Sequence, residues 1–151
     1  MKTIPALLAT VLAVSLIAAA ANARTIGCGR GPDLSLFVPF RVGKTWEEIG
    51  YPNLSGDGWY VVKTVLPNAG GGRTHLLFEG VDETCKLWIN GKFVAQSSGS
   101  PQMLWDKPQA ADITGKYDSE AENLIVVKVH DVFMAGGLYK PVRLMLERSI
   151  K

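Results

Sequence analysis

The stretch of sequence that decides the fold is LFEGVDETCKLWINGKFV, residues 77–94. Within it, residues 84–89 alternate between apolar and polar side chains, and this period of two residues is typical of a β-strand with one buried face. Asn90 and Gly91 then separate two apolar runs. A type I′ turn needs positive φ at both central residues, which Asn tolerates and Gly adopts freely, so the pair predicts a tight β-hairpin.

Short apolar or alternating runs bounded by turn residues recur along the rest of the chain, without an amphipathic helix of useful length. Outside the hairpin, the predicted strands cover residues 34–42, 59–66, 73–79, 110–114, 124–130 and 138–147. Pro39 places the first of these at a sheet edge, because proline has no N–H to donate to a neighbouring strand. The nearly continuous apolar run 124–130 indicates a central strand. About eight short strands predict an all-β fold, an antiparallel β-sandwich of the jelly-roll type.

The first residues have the features of an export signal. Lys2 precedes an uncharged apolar run, and Ala21 and Ala23 are the small residues that a signal peptidase requires. The densest apolar stretch, residues 7–21, is shorter than the ~20 residues that span a bilayer, which argues against a retained membrane anchor. We therefore expect cleavage after Ala23 and a secreted or periplasmic protein without membrane attachment.

The mature chain is predicted to form one domain, since neither an internal repeat nor a dividing linker is found. The expected divisions are a signal peptide over residues 1–23, a flexible mature N-terminus over 24–35, and a sandwich domain over 36–148.

Composition and charge exclude several classes of partner. The chain has 16 basic and 14 acidic residues without a basic cluster, which argues against nucleic acid, because that binding depends on clustered Lys and Arg at phosphates. Two cysteines, Cys28 and Cys85, and two histidines, His75 and His130, are too scattered for a metal site, so no cofactor is expected. The simplest interpretation of the thiols is a buried Cys85 and a loose Cys28, although an exported chain permits a disulfide.

Catalytic motifs are also missing from the sequence. It has no Gly-x-Ser-x-Gly turn for an esterase, no phosphate-binding Gly-Lys-Ser/Thr loop, and no spacing that marks a pair of glycosidase carboxyl groups. A binding or structural module therefore fits better than an enzyme. Because sugar rings stack on aromatic side chains, Trp105, which lies in a predicted loop, is a candidate binding platform. Trp59 and Trp88 lie within predicted strands and are expected to pack in the core.

Seven short motifs follow one another along the chain: Gly58-Trp59-Tyr60, Phe78-Glu79-Gly80-Val81-Asp82, Leu87-Trp88-Ile89-Asn90-Gly91-Lys92, Asp112-Ile113-Thr114, Glu122-Asn123-Leu124, Val127-Lys128-Val129-His130-Asp131 and Gly136-Gly137-Leu138-Tyr139-Lys140-Pro141-Val142. In this order they resemble the N-terminal sugar-binding domain of glycoside hydrolase family 2, which includes β-galactosidases, β-glucuronidases and β-mannosidases. The resemblance covers residues 40–146. It implies a galactose-binding-domain-like jelly roll and a carbohydrate partner, a β-linked glycan or glycoside.

The family carries its catalytic carboxylates on a (β/α)₈ barrel that follows the sugar-binding domain, whereas this sequence ends at Lys151. We therefore expect a non-catalytic carbohydrate-binding module that does not hydrolyse glycosides on its own. Two alternatives stay open. One is a non-catalytic subunit or remnant of a split glycosidase whose barrel is a separate polypeptide. The other is a structural or protein-interaction sandwich that binds no sugar.

The resemblance also implies a site residue. In the family, an Asp five residues before the paired small residues of the last strand reaches the bound sugar, and Asp131 stands five residues before Gly136. A carboxylate where the strand 124–130 opens onto the sandwich edge accepts strong hydrogen bonds from sugar hydroxyls. His130 and Tyr139 are expected to line the same edge, the tyrosine with a ring for stacking. The alternative is that Asp131 only accepts backbone N–H bonds in its own turn.

Overall fold

The computed structural model describes residues 15–20, 38–98 and 104–147, and it describes the first two strands by their backbone alone. This part of the chain contains nine β-strands and a short 3₁₀ helix, Glu47–Ile49. The strands are β1 Ser15–Ala20, β2 Val38–Arg41, β3 Gly56–Val65, β4 Arg73–Phe78, β5 Thr84–Ile89, β6 Lys92–Gln96, β7 Gln109–Asp112, β8 Glu122–Asp131 and β9 Val142–Glu147. No helix in the described ranges is long and apolar enough to cross a membrane.

The strands form two antiparallel sheets that enclose one core. The larger sheet has the order β2-β1-β3-β8-β5-β6 and the smaller has the order β7-β4-β9. This arrangement confirms the predicted antiparallel β-sandwich. The strand β8 pairs with β3 on one side and β5 on the other, so it is central as predicted. The strand β2, which contains Pro39, is at the edge of the larger sheet.

The predicted Asn-Gly hairpin joins β5 to β6. Asn90 has φ 51° and Gly91 has φ 76°, the two positive angles that a type I′ turn requires. The Asn90 side chain also fastens the turn to β8: its Nδ2 donates to Asn123 Oδ1 at 2.8 Å, and its Oδ1 accepts from Leu124 N at 2.9 Å. The turn therefore fixes the register of β5 and the end of β8 together.

Trp46 fills a slot at one end of the core. An added Cβ on Gly58 would lie 2.2 Å from Trp46 Cζ2, and one on Gly136 would lie 2.3 Å from Trp46 Cε3. Both glycines therefore lie against the indole, at positions where any larger side chain would collide with the ring. Trp46 Nε1 donates to Tyr60 Oη at 2.7 Å, and the same hydroxyl accepts from Leu138 N at 3.1 Å.

The prediction that Trp59 and Trp88 pack in the core is wrong. Both are only half-buried, on the face of the larger sheet that points away from the smaller sheet. Side chains alternate across a strand, and the inward positions belong to neighbours such as Tyr60 and Leu87, which are part of the core. Cys85 also points inward and is a free, buried thiol, as expected.

The strand β1 lies within the segment predicted to be an export signal. Its backbone pairs with β2 on one side and with residues Gly58, Trp59, Tyr60 and Val61 of β3 on the other. Cleavage after Ala23 stays a prediction. If it occurs, it removes β1, the strand that lies between β2 and β3. Cys28 and the predicted flexible segment 24–35 lie outside the described residues.

Candidate functional site

Asp131 is the last residue of β8 and points inward at the edge of the sandwich. Its side chain is almost fully enclosed, with 1% of the residue exposed. Its Oδ1 accepts a hydrogen bond from Phe133 N at 3.2 Å, and the Ser55 hydroxyl also bonds to the carboxyl. Asp131 thus does hold its own turn, as the alternative interpretation predicts, but this occupies only part of its acceptor capacity.

Two further carboxylates hold the loop that follows Asp131, residues 132–137. Glu83 Oε2 accepts from Val132 N at 2.6 Å, and Glu47 Oε2 accepts from Gly136 N at 3.2 Å. The backbone of the loop is therefore hydrogen-bonded to acidic side chains from three different segments. We call the group of Glu47, Asp82, Glu83 and Asp131 the acidic edge.

Two oxygen atoms of the acidic edge have no hydrogen-bond donor among the described residues. Asp131 Oδ2 and Glu47 Oε1 are both buried and both lack a partner. A buried acceptor without a donor is costly, and nearly all such groups in proteins are satisfied by protein, water or ligand. Each of these two atoms is therefore a position at which a hydroxyl or N–H donor would be favourable.

The acidic edge shifts the pKa values of its own members. Burial raises the pKa of Asp82 to about 7, helped by the negative charges of Asp131, Glu83 and Glu47. Burial also raises the pKa of Asp131, against the opposing effect of the hydrogen bonds from Phe133 and Ser55. Part of the cluster can therefore carry a proton near neutral pH, which relieves the repulsion between like charges.

The structure brings Tyr139 to this edge together with Trp105. Burial raises the pKa of Tyr139, and so do the charges of Asp82 and Asp106, so the phenol lies within their electrostatic reach. Its hydroxyl donates to the backbone oxygen of Trp105. The Trp105 side chain is 54% exposed, which is the exposure expected of a loop residue.

His130, in contrast, lies apart from the acidic edge. It precedes Asp131 in β8, so its side chain points to the opposite face of the sheet. There its Nδ1 lies 2.8 Å from Asp57 Oδ1, across the β3–β8 pair. The prediction that His130 lines the same edge as Asp131 is therefore corrected by strand alternation.

Sequence reasoning missed Glu47, Asp82 and Glu83. These residues precede Asp131 by 48 to 84 positions along the chain, from Glu83 to Glu47, and the packing of the sheets brings them together. One local feature does bear on Glu47: Thr45 N donates to Glu48 Oε2 at 2.7 Å. It positions the turn that carries Glu47. Within the described residues, the acids form no group that could hold a metal ion.

Comparison with known proteins gives one family and several relatives. The family model for the sugar binding domain of the family 2 glycosyl hydrolases matches residues 33–145. A β-galactosidase from Kluyveromyces lactis is 36% identical over 81 residues, covering 46% of this chain and 7% of the relative. The β-galactosidase large subunit from Lactobacillus acidophilus is 29% identical over 82 residues, covering 47% of this chain and 12% of the relative.

Solved structures show the same fold over most of the chain. A β-glucuronidase from Bacteroides uniformis superimposes with a TM-score of 0.75 at 18% identity, covering 93% of this chain and 18% of that protein. A β-glucuronidase from an uncultured Clostridium species gives 0.76 at 18% identity, covering 97% and 30%. This chain thus spans less than a third of the length of these relatives. Because the family model matches most of its residues, the chain belongs to the sugar-binding domain family of the family 2 glycosyl hydrolases.

Proposed function

We propose that this chain is an exported, non-catalytic carbohydrate-binding module that holds a β-linked glycoside at the acidic edge. The observation that carries the proposal is the pair of buried, donor-free oxygens on Glu47 and Asp131. Sugar hydroxyls are hydrogen-bond donors, and their bonds to charged acceptors are stronger than bonds to neutral ones. The half-buried ring of Tyr139 at the same edge offers a surface for stacking. The family match to a sugar binding domain supports the same ligand class.

The charge of the site favours a neutral sugar over a uronate. Four carboxyl groups at one edge repel a fifth, while each hydroxyl of a neutral glycoside is a potential donor. We expect calorimetric titration at pH 7 to give measurable binding of methyl β-D-galactoside and weaker binding of methyl β-D-glucuronide. Lowering the pH to 5.5, which protonates Asp82, should reduce the difference in affinity between the two glycosides. Equal or stronger binding of the uronide at pH 7 would contradict this assignment.

Catalysis by the acidic edge alone is not expected, although one of its carboxyl groups, that of Asp82, has a pKa of about 7. A glycosidase needs one free carboxylate and one free acid on opposite sides of the scissile bond. Here Glu47, Glu83 and Asp131 each accept a backbone N–H of the 132–137 loop. Because these hydrogen bonds fix the three carboxylates against the backbone, a role in binding fits better than a role as nucleophile.

A second candidate function is that of a subunit completing a glycosidase supplied by another polypeptide. The observation that favours it is an apolar tip on the 132–137 loop, next to the acidic edge. Phe133 is 72% exposed and Met134 is 73% exposed. The backbone of Met134 has φ 73°, a value that residues other than glycine rarely adopt. Because the carboxylates pin this loop, the tip is presented in one conformation and can dock with little loss of entropy.

Rescue of a truncated enzyme tests the subunit candidate. The Kluyveromyces lactis β-galactosidase, deleted for the region that matches this chain, is mixed with the chain and assayed on a chromogenic β-galactoside. The candidate predicts recovered turnover, no turnover by this chain alone, and loss of at least tenfold in rescue for Phe133→Ser with Met134→Ser, because burial of each apolar side chain contributes about 1.5–3 kcal/mol. Exposed Val65→Ser on β3 is the control. Absence of rescue, with sugar binding intact, leaves the first function and rejects this one.

Export is the remaining part of the proposal, and it rests on the sequence around Ala23. Sequencing the N-terminus of the secreted protein tests it directly. We expect Arg24 as the first residue, and secreted protein that begins at Met1 would contradict the proposal.

A further inference from the structure

The outer face of the larger sheet, which the smaller sheet does not cover, carries a row of aromatic rings. Trp59 on β3 and Trp88 on β5 have ring centroids 5.7 Å apart and an interplanar angle of 31°. Phe93 on β6 follows, with its centroid 5.9 Å from Trp88, and it is 55% exposed. The row crosses the sheet from β3 to β6, about 14 Å at the usual strand spacing. We call it the aromatic row.

The polar groups around the aromatic row include a compensated aspartate and an exposed lysine, Lys86. Lys128 Nζ lies 5.7 Å from the centroid of the Trp59 ring and 2.6 Å from Asp57 Oδ2. His130 Nδ1 lies 2.8 Å from the other oxygen of the same aspartate. Lys86 stands directly opposite Lys128 on the neighbouring strand. It is exposed and makes no ion pair with any residue in the described ranges.

This combination suits a particular kind of ligand. The exposed ring of Phe93 and the half-buried rings of Trp59 and Trp88 provide apolar faces for stacking, and an apolar surface patch with polar groups around it is typical of a binding surface. Burial works to raise the pKa of Asp57, but its hydrogen bonds to Lys128 and His130 prevail and lower it. Asp57 is therefore charged and compensated, and Lys86 supplies a positive charge that no ion pair in the described ranges neutralises. An anionic ligand with extended, partly apolar rings is complementary to both features.

We propose that the aromatic row and Lys86 form a second carbohydrate site, which takes an acidic polysaccharide built from uronic acids. The sugar rings stack on Trp88 and Phe93, and a uronate carboxylate pairs with Lys86. This site goes beyond the function proposed for the acidic edge: it lies on the opposite face of the larger sheet, takes a polymer rather than a terminal glycoside, and prefers the opposite charge.

Affinity electrophoresis of the full chain tests the site with three polymers. These are polygalacturonate, neutral hydroxyethylcellulose and poly-L-glutamate, which is anionic but contains no sugar ring. We expect retardation by polygalacturonate, weaker retardation by hydroxyethylcellulose and none by poly-L-glutamate. Trp88→Ala and Phe93→Ala should each weaken polygalacturonate binding by about tenfold, since each removes a ring that covers a large apolar area. Lys86→Met should weaken polygalacturonate binding about tenfold and leave hydroxyethylcellulose unaffected.

Matched controls exist on the same face. Lys63→Met removes another exposed lysine of β3, and Val65→Ala trims an exposed apolar side chain beyond the aromatic row; both should bind as the unchanged chain does. Because Phe93 is exposed, its variant stays informative if Trp88→Ala fails to fold. Equal retardation by poly-L-glutamate, a Phe93→Ala variant with full affinity, or no retardation by polygalacturonate would each overturn the proposal. Binding of methyl β-D-galactoside by the Phe93→Ala variant reports separately on the acidic edge.

Discussion

Replacing Trp46 with alanine is expected to lower the free energy of unfolding by about 3–5 kcal/mol, the usual cost of deleting a large buried aromatic side chain. The indole is 3% exposed and fills the slot between Gly58 and Gly136. Its loss leaves a cavity and removes the donor to Tyr60 Oη. Since small domains are stable by only about 5–15 kcal/mol, this one change removes a large part of the total.

Urea unfolding followed by circular dichroism measures this effect. The stability of Trp46→Phe should lie between that of Trp46→Ala and that of the unchanged chain, because phenylalanine keeps most of the ring but loses the hydrogen bond to Tyr60. Exposed Trp105→Ala is the matched control and should change the stability by less than about 0.5 kcal/mol. A Trp46→Ala variant within 1 kcal/mol of the unchanged chain would show that the slot can collapse around the missing ring, contrary to the rigid packing inferred from the two glycines.

The Asp82→Asn variant is expected to be more stable than the unchanged chain, with a gain that grows with pH. The pKa of Asp82 is about 7 in the folded chain and 3.8 in the reference state, so the folded chain binds more protons between these values. Stability from this group is fully present below pH 4 and is lost as the pH rises through 7. After allowing for solvent screening, we expect the gain to be about 1–2 kcal/mol larger at pH 8 than at pH 5.

Thermal unfolding of both proteins at pH 5 and pH 8 measures the difference. Asp112→Asn is a useful contrast, because hydrogen bonds from Thr114 lower the pKa of Asp112. Its removal should therefore destabilise the chain above pH 4, the opposite sign. If Asp82→Asn gives the same gain in stability at both pH values, then the pKa of Asp82 is not raised in the folded chain, and the electrostatic description of the acidic edge is wrong.

Local patterns in the sequence predicted the sandwich because they depend on neighbouring residues. The alternation in β5 and the Asn-Gly turn are properties of a few consecutive residues, and Pro39 marks an edge for a backbone reason. The orientation of Trp59 and Trp88 failed for the opposite reason. Alternation shows that two faces exist, but which face turns inward depends on the second sheet, and here Tyr60 and Leu87 take that side.

The candidate site could be predicted only in part. Asp131 and Tyr139 came from the resemblance to a family, together with the position of a strand end. Glu47, Asp82 and Glu83 reach the same edge through contacts between distant segments, which no local pattern records. The packing of Trp46 could not be predicted for the same reason. Nothing in the local sequence of Gly58, in a strand, or of Gly136, in a loop, shows that the indole lies against both.

The measurement that tests the central claim most directly is calorimetric titration of methyl β-D-galactoside into the unchanged chain, Asp131→Asn and Asp118→Asn. The Asp118 variant is a matched control, because Asp118 Oδ1 accepts from Glu120 N two residues on, as Asp131 Oδ1 does from Phe133 N, but in an exposed turn. We predict a loss of about 1.5–3 kcal/mol of binding free energy for Asp131→Asn alone, the contribution of a hydrogen bond to a charged group. No binding by the unchanged chain, or equal affinity in all three proteins, would contradict the assignment of the acidic edge as a sugar site.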